Sequence, residues 1–195
     1  MTTPQNKKPN IVVITARGCG RAFGCYGAKT VSTPSIDKLA AEGAVFENYF
    51  GTSSDSSPNQ GSLFTGLHPQ RNGLLGQCEE PWNWEMNDDV VHLAQLLKLD
   101  GYMPLLFRLQ DETALGNWKR LGFEEYRAKD MNPAIENADP AKAWSAMKSA
   151  KELVSFFNER AKRPGPKRPF YAQIGFYEAR RPFDYGGARR DSEKG

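Results

Sequence analysis

An α/β fold with a mostly parallel sheet flanked by helices is the fold class that this sequence predicts. Two observations carry it. Short runs of apolar, β-branched or aromatic residues occur at IVVIT (11–15), MPLLF (103–107) and PFYAQIGFY (169–177). Between them lie stretches whose apolar residues recur with helical spacing. Strands alternating with helices build layered α/β domains, and continuous apolar runs mark strands buried in a parallel sheet.

Each element has its own local signal. Residues 1–8 are polar and predict a disordered tail. IVVIT opens the sheet. Thr33-Pro34 predicts a helix start, with a cap and a proline at the first position. Ile36, Leu39, Ala40 and Gly43 then form its inner face. AVFENYF (44–50) reads as the next strand, and a helix is expected over 58–66. Val90, Leu93, Ala94 and Leu97 have helical spacing within 88–100, and Gly101 ends that helix. After the strand at 103–107, Met147, Ala150, Val154 and Phe157 predict a long amphipathic helix over 141–161. The linker RPGPKRP cannot be helical, and 169–177 is the final strand.

The bulk numbers set bounds. A chain of 195 residues suits one domain with a real core. Hydrophobic residues at 39% and charged residues at 25% are ordinary for a soluble chain. The net charge of +3 is modest, and the densest basic stretch, Lys162 to Arg190, reads as a solvated segment rather than a polyanion site. No nucleic acid partner is expected. Nor is a membrane span, since no stretch approaches the roughly 18 apolar residues one needs. The opening MTTPQNKK lacks the apolar core of a signal peptide, so a cytoplasmic location is expected. Three cysteines (Cys19, Cys25 and Cys78) are an odd number without metal-ligand spacing, which fits a reducing compartment.

Function comes from the stretch Pro9 to Gly73. It contains PNIVVITARGCGRAFGCYG, TPSIDKLAAEGAVFENYF and SSPNQGSLFTGLHPQRNG. In order and spacing these resemble the opening of the sulfatase family. GLHPQRNGLLG and TSSDSSPNQ look most like the branch that desulfates N-sulfoglucosamine in heparan chains. The resemblance implies an alkaline-phosphatase-like fold, of which this chain would be the N-terminal portion. It divides the chain into a tail at 1–8, an incomplete α/β domain at 9–183, and a polar tail or further segment at 184–195. It also implies sulfate ester hydrolysis by a formylglycine made from Cys or Ser, beside a divalent cation, usually calcium; members are often exported.

The positions that carry this chemistry are substituted. Two adjacent aspartates should end the first strand; Arg17 and Gly18 stand there. A guanidinium has no lone pair for a cation and repels one. The nucleophile motif, Cys or Ser-x-Pro-x-Arg, aligned on Pro58 and SLFTG (62–66), places Ser56 at the nucleophile and Gln60 at the arginine. Gln60 is neutral and short, so Ser56 is expected to stay unmodified, as a helix cap. A Gly-Lys-x-His motif is matched by Phe107-Arg108-Leu109-Gln110, and a His-x-Pro-His motif by Tyr177-Glu178-Ala179-Arg180. His68 and His92, the two histidines of the chain, are expected at scaffold positions.

A kept scaffold with lost chemistry predicts a pseudoenzyme. It would bind no cofactor and no metal, and would associate with a C-terminal half or another protein chain covering a hydrophobic sheet edge. Two other functions stay open. Arg17, Arg108 and Arg180, at three strand ends, would hold a sulfate, phosphate or carboxylate ligand. Alternatively the chain is an active sulfuric ester hydrolase once joined to a C-terminal half, or uses Ser56 directly, which needs an activating base or metal.

Overall fold

The computed structural model describes residues 8–79, 81–127 and 146–176. Its centre is a four-stranded, wholly parallel sheet in the order β1-β4-β2-β3. The strands are β1 (Ile11–Ala16), β2 (Met103–Arg108), β3 (Glu125–Arg127) and β4 (Phe170–Phe176). The helices are α1 (Pro34–Glu42), α2 (Ser56–Thr65), α3 (Pro69–Asn72), α4 (Leu93–Leu99) and α5 (Ala146–Lys162).

The pleat divides the core in two. Leu106 and Tyr171 face one side, where Leu74, Met86, Val90, Ala94, Leu121 and Phe123 pack on them. Leu105, Phe107, Ala172 and Ile174 face the other and meet Phe156 of α5. Alternation along each strand separates the two sets. Helix ends follow glycine: Gly66 closes α2 and Gly73 closes α3, with φ of 70° and 90°. Both lie in the left-handed region that glycine adopts without strain.

The strands at 103–107 and 169–177 form where expected, within a residue at each end. The helix expected at 58–66 starts two residues earlier, at Ser56. The helix expected over 88–100 starts only at Leu93, because His92 and Gln95 make a capping box there. Short β3 and a 3-10 turn at Leu115–Leu121 were not foreseen. The expected tail at 1–8, except Lys8, and the residues from Tyr177 onward lie outside the described residues.

Five expectations are corrected. AVFENYF forms no strand, and Phe46 and Phe50 are 69% and 83% exposed. A β-rich run becomes a strand only beside a partner. Here Tyr26 Oη and Arg21 Nη1 bind the carbonyls of Phe46 and Glu47 instead. The apolar stripe of α1 buries no residue. That helix docks on the 3-10 turn Gly24–Tyr26 through Asp37, which accepts from Cys25 N at 2.7 Å. Thr33 makes no cap; its hydroxyl accepts from Gly24 N and donates to Asp37. In α5 the phase differs: Val154 is exposed, while Leu153, Phe156 and Phe157 face the sheet. The Phe156 ring sits 5.9 Å from Phe107 and 5.5 Å from Phe170, and these aromatic contacts fix the rotation. Finally, β1 is half-buried, and on one face only; Val12 and Ile14 point outward.

Candidate functional site

All strands run parallel, so their carboxyl ends share one edge of the sheet, where α/β folds place their sites. Arg17 N donates to Phe176 O at 3.0 Å, and Arg108 lies opposite Gly175. Arg17 and Arg108 therefore flank the end of β4. Tyr177, Glu178 and Arg180 lie outside the described residues.

Both arginines are buried, at 6% and 3% exposure. Arg17 forks onto Asp111: Nε donates to Oδ2 at 2.7 Å, and Nη2 pairs with Oδ1. Its Nη1 meets Glu79 Oε1 at 2.9 Å. Gln60 Nε2 reaches the same Asp111 Oδ2 at 2.7 Å. Arg17 and Gln60 thus converge on one carboxylate. Arg108 has a φ of 69°, unusual outside glycine, which turns the chain sharply after β2. The turn lays the Leu109 carbonyl over β4, where a Cβ on Gly175 would meet it at 2.6 Å.

Ser56 is the first residue of α2 rather than its cap; Asp55 holds the cap position. Its hydroxyl donates to Gln77 Oε1 at 3.0 Å, and Ser57 donates to the same oxygen at 3.2 Å. Ser57 Oγ in turn accepts from Cys78 N. The segment 77–79 thereby ties the start of α2 to Arg17. Gln110 accepts from the amides of Glu112 and Thr113 and donates to the Thr113 carbonyl. It braces a turn and offers no base.

Beneath this lies Glu112, fully buried. Burial pushes its carboxyl up to about 7, against hydrogen bonds from Gln173 and its own backbone and the charge of Arg17. Gln173 Nε2 donates to it at 3.3 Å, and Tyr171 Oη donates to Gln173 Oε1 at 2.9 Å. Burial also raises the Cys78 thiol. His92 is enclosed between Phe64 and Phe123, and burial lowers its imidazole to about 3. Its Nδ1 accepts from Ala94 N and caps α4, while His68 stands exposed before α3. Both histidines are scaffold residues.

Asp111, Glu79, Glu112 and Gln77 were not read from the sequence as site residues. The pair Asp111-Glu112, just beyond the end of β2, was the available signal. For a divalent cation the donor set does not fit. The carboxylates nearest the end of β1 carry a guanidinium, and among the described residues no group of three or more His, Cys, Asp or Glu side chains is placed to hold a metal.

The sequence profile of the sulfatase family matches residues 9–186. The chain belongs to the sulfatase family. Its relatives include the N-acetylgalactosamine-6-O-sulfatase of Bacteroides thetaiotaomicron, 42% identical over 100 residues, which are 50% of this chain and 19% of that protein. The human N-sulphoglucosamine sulphohydrolase is 27% identical over 172 residues, 88% of this chain and 32% of the relative. The chain thus spans a third or less of the length of these relatives. Among solved structures, Ps i-CgsB in complex with k-i-k-neocarrahexaose superposes with a TM-score of 0.68 at 22% identity, covering 91% of this chain and 47% of that one. The phosphonate monoester hydrolase of Agrobacterium radiobacter gives 0.58 at 20% identity, covering 87% and 41%. At these identities the likeness concerns the fold, which is the alkaline-phosphatase-like fold implied by the sequence.

Proposed function

We propose that this sulfatase-family chain hydrolyses no sulfate ester by itself and works by associating with a further polypeptide. One observation carries the reading. Where the resemblance implies a divalent cation, Arg17 is buried against Asp111 and Glu79. Two others support it. Gln60, at the motif arginine, is held by Asp111, and Ser56 donates its proton to an amide oxygen rather than to a base. A serine so placed lacks the activation that nucleophilic catalysis requires.

The test is release of 4-nitrophenol from 4-nitrophenyl sulfate and phosphate, with and without calcium. No release above the buffer rate is expected. Turnover lost on Ser56→Ala would overturn the reading. Peptide mass spectrometry adds a second check, since Ser56 should keep the mass of serine. A loss of the mass of molecular hydrogen at that residue, the mark of formylglycine, would restore the enzyme.

The partner is proposed to be a C-terminal polypeptide of the kind that the longer relatives carry. β1 pairs on one side only among the described residues, its outer face presents Val12 and Ile14, and α1 leaves Leu39 exposed. An open apolar edge of this kind calls for cover. A reducing, cytoplasmic location suits the free thiols of Cys19, Cys25 and Cys78. Among the described residues no helix is long and apolar enough to cross a membrane.

A second reading, binding of a small anion by Arg17, Arg108 and Arg180, is favoured by the placement of the first two beside the end of β4. The carboxylates on Arg17 weigh against it. A saturable rise in melting temperature with sulfate over chloride, lost in Arg108→Ala, would favour it. Activity appearing only when a C-terminal half is supplied would instead support a split hydrolase.

A further inference from the structure

The site fails to suit a divalent cation in a specific way. A hard cation gathers carboxylate oxygens from separate segments and fixes them relative to one another. Arg17 does the same with its guanidinium. It draws in Asp111 from the turn after β2 and Glu79 from the loop before α4, which lie 94 and 62 residues away in sequence. Gln60 of α2 closes the group by donating to Asp111. The side chains of Arg17 and Asp111 are 5% and 1% exposed, so the pair is shielded from water and salt. The planar fork of arginine matches a carboxylate on two bonds, which lysine cannot do.

We propose that the Arg17 guanidinium is a tethered substitute for the cation, a built-in charge that holds the end of β1, the turn after β2 and the start of α2 together without a metal. The inference rests on the site being metal-independent. Its test reads stability rather than turnover, so either proposal can fail without the other.

The experiment is thermal unfolding of the full chain, Arg17→Ala, and Arg17→Ala/Asp111→Asn. Each is measured with millimolar methylguanidinium chloride, calcium chloride or sodium chloride at one ionic strength. Removing one partner of a buried pair should lower the melting temperature of Arg17→Ala by about 10 °C. Methylguanidinium should restore part of that loss saturably, because it refills the cation position against Asp111. The wild type and the double variant should not respond to it, and the wild type should not respond to calcium.

Equal shifts in all three proteins, no rescue of Arg17→Ala, or a saturable calcium response of the wild type would each overturn the proposal. If Arg17→Ala does not fold, Arg17→Leu/Asp111→Leu decides. Folding of that uncharged pair would show that Arg17 acts by neutralising Asp111. Failure of both variants to fold would refute a charge-balancing role.

Discussion

Ile14 and Ile174 are the same residue on adjacent parallel strands, paired in register and facing the same side of the sheet. One is 59% exposed and the other 1%. The difference comes from what lies over each strand. β4 runs between β1 and β2 beneath α5, whereas the outer face of β1 has little over it among the described residues. Composition alone cannot tell these strands apart. Burial is a property of neighbours, and the two strands differ in theirs.

A matched pair of substitutions separates the two strands. Ile174→Asp should prevent stable folding, because an unpaired carboxylate in that core costs about 4 kcal/mol or more. Ile14→Asp should change stability by about 0.5 kcal/mol or less and should improve solubility. Denaturant unfolding measures both, and comparable losses would mean that β1 is covered in solution. Next comes Phe156→Ala, which should cost about 3–5 kcal/mol through lost burial and a cavity beside Phe107 and Phe170. Val154→Ala, on the exposed face of the same helix, should cost only a few tenths of a kcal/mol by the same measure.

A smaller effect should appear in the pH dependence of stability. Glu112 has a folded pKa raised from 4.5 to about 7, so the folded state holds its proton more tightly than the unfolded chain. Its contribution is fully present below pH 4.5 and is lost as pH rises to about 7. Glu112→Gln should flatten that slope while keeping the bond with Gln173. An unchanged slope would place the titrating group elsewhere. Smallest of all, Leu39→Ser on the open side of α1 should move the melting temperature little in the chain alone. It should weaken capture of a C-terminal polypeptide in a binding assay; unchanged capture would remove α1 from that interface.

The strands at 103–107 and 169–177 were legible because compact apolar runs flanked by helical periods have few other uses. AVFENYF misled for the reason that Ile14 and Ile174 differ: strand propensity needs a partner that the local sequence does not name. The rotation of α5 was hidden too, since Val154 and Phe156 are both apolar and only the facing Phe107 and Phe170 choose between them. At the site, substitution of the expected chemistry at Arg17, Gln60 and Gln110 could be read directly. Their replacement partners could not, because Asp111 and Glu79 meet Arg17 only after the sheet has formed. A substituted motif is visible in the sequence itself; the contacts of the residues that fill it depend on long-range geometry.

The alternation along β1 has one more consequence. Ile11 and Val13 face the core and Val12 and Ile14 face outward, so both faces of the strand are apolar and β-branched. A slip of one residue along β4 would exchange the two pairs at small hydrophobic cost, and the usual polar–apolar code that sets strand register is missing here. Such a slip would also turn Arg17 to the other face and leave Asp111 buried without its cation, at a cost of about 3–5 kcal/mol. The Arg17–Asp111 pair therefore adds, at the end of the first strand, a register signal that its apolar faces lack.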